Sequence, residues 1–139
     1  MADADTGEPD WIVRGGLATP EQLRAGTSEH RYVPGLTGFS VRRQPGKTVE
    51  ELAAAGQFRN RMISVTTMGE LRLAGTLAGY TIQVLATPRG LFHQTVVVPH
   101  PLPIDLAEAL SLAFSHRENV TRVIQGWHRE KRNGAARLC

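Results

Sequence analysis

The sequence predicts a small α+β domain, a mixed and largely antiparallel sheet with flanking helices. Three observations predict it. Short β-branched apolar runs alternate with amphipathic segments through the middle of the chain, the rhythm of a mixed fold. Two late runs are separated only by a turn at Pro88-Arg89-Gly90, which calls for an antiparallel pair. The chain has 139 residues, 41% of them hydrophobic. That suits one domain burying roughly 70% of its unfolded surface without metals or disulfides.

Residues 1–10 are polar and acidic and read as a disordered leader, with a single domain over 11–128 and a basic tail over 129–139. Trp11-Ile12-Val13-Arg14 reads as a buried strand ended by Gly15-Gly16. Thr19-Pro20-Glu21 supplies an N-cap, a proline at the first helical position and an early acid, so a short helix runs to about Ala25. Thr27–Thr37 is turn-like, and Gly38–Arg42 alternates as a second strand. Thr48 and Glu51 stand three apart as a capping box for a helix ended by Gly56. Met62–Thr66 is a β-branched third strand. A second capping box at Thr67 and Glu70 opens a helix closed by Gly75. Tyr80–Ala86 and Leu91–Val98 are the fourth and fifth strands. Pro99 to Pro103 then forbids further pairing. Leu102, Leu106, Leu110 and Ala113 or Phe114 follow at helical spacing, with Asp105, Glu108 and Ser111 on the outer face. Val120, Val123, Ile124 and Trp127 stripe a last helix.

Composition excludes a disulfide scaffold, a collagen-like repeat and a disordered chain. The one cysteine, Cys139, is terminal and has no partner for an internal bridge. No run reaches the roughly 18 apolar residues a membrane span needs, and the acidic start is unlike a secretory signal. A cytoplasmic protein is expected, with export into a target cell without a cleavable signal left open. Residues 117–139 carry six Lys/Arg against Glu118 and Glu130, while the rest of the chain nets −1. The basic balance therefore belongs to the tail.

No phosphate loop, dinucleotide fingerprint, cysteine pair or helical histidine pair is present, so no metal is expected. Three polar residues stand out on apolar strands. Alternation places His93 and Thr95 on one strand face, where burial without partners would cost about 1–3 kcal/mol each. Arg14 ends an apolar strand before two glycines, where a guanidinium fork suits phosphate or carboxylate. Ser40, between Phe39 and Val41, offers a hydroxyl that can orient a ligand, as does Thr37 just upstream. Each also has a plain structural role open to it: a bond to backbone, or a reach into solvent.

Ile12-Val13-Arg14, Thr37-Gly38-Phe39-Ser40-Val41 and His93-Gln94-Thr95-Val96-Val97-Val98-Pro99 together resemble the ADP-ribosyltransferase-like toxins, most closely a small branch of type VI secretion effectors. The resemblance covers about a third of the chain. It implies NAD as substrate and Arg14 on its phosphates and ribose. It also implies Thr37 and Ser40 at the nicotinamide riboside, Thr95 as a further cofactor-binding residue, and His93 orienting ribose hydroxyls or serving as acid and base. The family's late Glu-x-Glu is missing, and Glu108, on the helix after the late strand, is the candidate acid, with Asp105 the only other one nearby. A neutralising antitoxin or immunity protein is the implied partner, with a protein, a nucleic acid or NAD itself as target. Two other readings stand beside it. One is a ribonuclease toxin using Arg14 and His93, with His30 or His100, and the basic tail on RNA. The other is a non-catalytic immunity or adaptor module.

Overall fold

A computed structural model describes residues 7–121. The expected stripe at Val123, Ile124 and Trp127 and the basic tail lie outside the described residues. In order, the elements are β1 (Trp11–Gly15), α1 (Pro20–Gly26), β2 (Ser28–Glu29), β3 (Thr37–Arg42), α2 (Val49–Gly56), β4 (Met62–Thr67), α3 (Met68–Leu77), β5 (Gln83–Ala86), β6 (His93–Val97), α4 (Ile104–Ala113) and β7 (Ser115–Glu118). The caps form as their chemistry dictates. Thr19 Oγ1 accepts from the Gln22 amide, and Thr48 with Glu51 closes a reciprocal box. Thr67 makes only half of one: it accepts from the Glu70 amide, while the Glu70 carboxylate lies near Thr66 Oγ1.

The seven strands form one sheet in the order β5-β6-β3-β1-β4-β7, with β2 also on β3. All its pairings are antiparallel. β6 occupies one edge of β3 along its length, so β1 and β2 must share the other. β2 takes the start, with Ser28 opposite Gly38, and β1 meets it only at the end, with Val13 opposite Arg42. The sheet is therefore split beside Ser40.

One face is the main core. Ile12, Phe39, Val41 and Val96 pack there against Leu23 of α1, Met68 and Leu71 of α3, and Leu106 and Leu110 of α4. The other face has a smaller core in which Val49, Leu52 and Ala53 of α2 meet Val13, Ile63 and Val65 of β1 and β4. On that second face the β3–β6 half carries Ser40, Arg42, His93 and Thr95 in place of an apolar layer.

Several expectations change. Gly75 does not end its helix, which runs on to Leu77. Gly75 is instead buried where a Cβ would overlap the Ile82 side chain. The fourth and fifth strands shorten to β5 and β6, with Phe92 in the left-handed region at φ 61° just before β6. β2 and β7 were not anticipated. Residues 7–10, read as leader, are fastened: Asp10 pairs with Arg43 at 2.8 Å, and Glu8 with Arg72 at 2.8 Å. No helix among the described residues is long and apolar enough to cross a membrane.

Candidate functional site

The β3–β6 register builds the site. Ser40 lies opposite Thr95 and Arg42 opposite His93, so all four project from the second face. Thr87, one residue past β5, extends the ladder by donating its amide to the His93 carbonyl. Its hydroxyl lies 2.6 Å from His93 Nδ1 and 3.0 Å from Thr95 Oγ1. Thr87, His93 and Thr95 are only 8%, 4% and 3% exposed. Three polar side chains persist at that depth because each satisfies another.

The His93 network leaves one atom over. Nε2 is buried and has no hydrogen-bond partner. Burial first, then the charges of Arg42 and Arg89, push the imidazole pKa down to about 4, so the ring is neutral at cell pH. His30, in the connection after β2, sits beside it with ring centroids 6.1 Å apart. His30 Nδ1 accepts the Tyr32 amide at 3.1 Å, and its Nε2 is likewise buried without a partner.

A cavity of about 250 Å³ opens between the 28–32 segment and the sheet, reaching Ser40, Arg89 and Thr95. A smaller one of about 160 Å³ adjoins it at Ser40 and Arg89 and reaches Arg42, Phe58 and His93. Arg89, in the β5–β6 turn, donates to Ser40 Oγ at 3.3 Å. Among the described residues Glu29 is the one carboxylate lining either cavity, and its Oε2 already accepts from the Gly35 amide. Against it stand Arg31, Arg42 and Arg89. The lining is cationic and rich in donors, which favours an oxyanion.

Of the expected site residues, His93, Ser40 and Thr95 come together here. Arg14 does not join them. Val13 faces the α2 side opposite Arg42, so the next residue points to the other face. Arg14 lies there 5.3 Å over the Phe39 ring, and its Nη1 donates to the Ser40 carbonyl at 2.7 Å. It fills the split where β1 leaves β3, and burial lowers its pKa with no carboxylate paired to it among the described residues. Thr37 Oγ1 donates to the Val98 carbonyl at 2.7 Å and lines neither cavity. Glu108 is exposed on α4, which packs on the opposite face, so the expected acid is absent from the site. His100 is exposed beyond β6.

Thr87 and Arg89 were not anticipated, since Pro88-Arg89-Gly90 reads only as a turn. His30 carried a signal, its polar loop, but nothing in the sequence places it against His93. No family model matches the chain, and neither curated proteins nor solved structures yield a match.

Proposed function

We propose that this chain is an ADP-ribosyltransferase-like toxin that takes NAD at the β3–β6 cavity and acts inside a bacterial cell. One observation supports it above the rest. The strands bearing Arg14, Ser40 and His93 are immediate neighbours in the sheet, β1, β3 and β6, and the hydroxyl and imidazole reach adjoining cavities ringed by guanidinium groups. A pyrophosphate is an anion that Arg31, Arg42 and Arg89 suit in charge and geometry. Arg14 is a positioning residue in this reading: it holds the Ser40 carbonyl at the split, which fixes the hydroxyl on the cavity side.

In the transfer, the bond between ribose C1′ and the nicotinamide nitrogen breaks and nicotinamide leaves with the electron pair. Water or a target nucleophile bonds to C1′ and gives up its proton. The proton passes to solvent water, and His93, held neutral in the empty site by burial first and then by Arg42 and Arg89, orients the bound nucleotide through its ring. Without Glu108 at the site, no carboxylate of the expected kind steadies the positive charge on the ribose. A toxin of this kind also needs a neutralising protein in the cell that makes it.

The test is expression in bacteria with growth and NAD content followed together. The wild type is expected to slow growth and deplete NAD, and His93→Ala to do neither. Equal harmlessness of the two proteins ends the proposal. A second reading, phosphodiester cleavage of RNA, is favoured by the two adjacent imidazoles with unpartnered Nε2 atoms, since acid and base catalysis needs two such groups. RNA cleavage without added NAD would select it.

A further inference from the structure

We propose that His30 and His93 form a phosphoryl-binding subsite, each giving one Nε2–H bond to a different oxygen of the same tetrahedral phosphoryl group. The inference deepens the nucleotide reading above and rests on it only for the identity of the whole ligand. Its ground is geometric. His30 Nδ1 is occupied by the Tyr32 amide, so the neutral ring must carry its hydrogen on Nε2. That donor is buried and faces no acceptor. His93 is fixed from the other side, its Nδ1 against Thr87 Oγ1, and it too ends in a buried, unpartnered Nε2. A buried polar atom without a partner is uncommon and calls for an explanation. Here two occur on rings whose centroids are 6.1 Å apart.

The surroundings choose the ligand. A carboxylate or a carbonyl would have satisfied either ring, but among the described residues no acceptor reaches either Nε2. Arg42 faces His93 from β3 and Arg89 from the β5–β6 turn, with His30 and Arg31 on the segment after β2. The nearby carboxylate, Glu29, is engaged by the Gly35 amide. A cation is therefore repelled, a neutral group gains little, and a phosphoryl oxyanion gains from Arg31, Arg42 and Arg89. Arg89 and Ser40 already touch each other at 3.3 Å and offer donors to the remaining oxygens. Such an anion also offsets the charges of Arg42 and Arg89 that keep His93 neutral. Occupation should therefore carry a proton onto the ring and raise its titration point.

The experiment uses sulfate, a tetrahedral dianion whose own charge does not change between pH 4 and 8. The full-length protein is titrated with sulfate at constant ionic strength set with chloride, following the two imidazoles by NMR. Sulfate is expected to shift both rings and raise the His93 titration point by at least about one pH unit. His30→Gln should weaken the sulfate effect at least about tenfold, and the exposed His100→Ala should leave it unchanged. If His30→Gln will not fold, Arg89→Gln serves in its place, with the same direction of effect. Shifts absent from both rings, or retained in full in His30→Gln, overturn the subsite.

Competition then names the source. Displacement of sulfate by ADP at lower concentration than by pyrophosphate assigns the subsite to a nucleotide. Equal displacement by pyrophosphate assigns it to a bare phosphate group, keeping the subsite while removing the NAD reading. NAD consumption by a protein whose imidazoles ignore sulfate has the reverse meaning: the subsite fails and the NAD reading stands.

Discussion

Replacing Thr87 with valine removes one hydroxyl and leaves the shape of the side chain almost unchanged. That hydroxyl bridges His93 Nδ1 at 2.6 Å and Thr95 Oγ1 at 3.0 Å, at a residue 8% exposed. Both partners are more deeply buried than Thr87. Each polar atom left unsatisfied costs about 1–3 kcal/mol. The gain from burying a methyl in place of the hydroxyl returns part of this, so the net loss should be about 2–4 kcal/mol. For a domain of this size that lowers the melting temperature by roughly 10 °C. Urea unfolding at pH 7.5 measures it, with the denaturant slope unchanged so that the comparison reads stability alone. Thr81→Val, on an exposed residue, is the control and should stay within about 0.5 kcal/mol. A Thr87→Val loss no larger than that control would refute the claim that this hydroxyl holds the site together.

Three further outcomes follow from the same geometry. Because His93 titrates near 4 in the folded chain and near 6.5 when unfolded, the unfolded chain binds the extra proton between those values. Its contribution is thus full above pH 6.5 and lost as pH falls to about 4, with a ceiling of about 3 kcal/mol at roughly 1.4 kcal/mol per unit, less where water screens exposed Arg89. Stability measured across that window should rise less steeply in His93→Gln than in wild type. Arg14→Met should destabilise by about 1–3 kcal/mol through the lost bond to the Ser40 carbonyl, read as a lowered urea midpoint. Gly75→Val should cost about 1–3 kcal/mol or more by forcing Ile82 aside, seen as a lowered urea midpoint.

The sequence disclosed those elements that bury side chains in a period. β1, β3, β4 and β6 carry Ile12, Phe39, Val65 and Val96 inward, and the helix starts announce themselves at Thr19-Pro20 and Thr48/Glu51. β2 and β7 are entirely exposed, so no apolar alternation marks them. Alternation also gives parity within a strand but not between strands. Only the pairing of Val13 with Arg42 reveals that Arg14 faces away from Ser40 and His93. Thr87, Arg89 and His30 belong to turns whose role comes from what the sheet brings against them. Glu108 follows the late strand along the chain, but the packing of α4 on the opposite face removes it from the site.

Release of nicotinamide from NAD by the purified protein puts the adjoining β3–β6 cavities and the His93 imidazole to trial together. Steady release by wild type is expected, falling about 10²-fold in His93→Gln while urea unfolding shows that variant still folded. No release and no saturable binding of NAD by well-folded wild-type protein would contradict it.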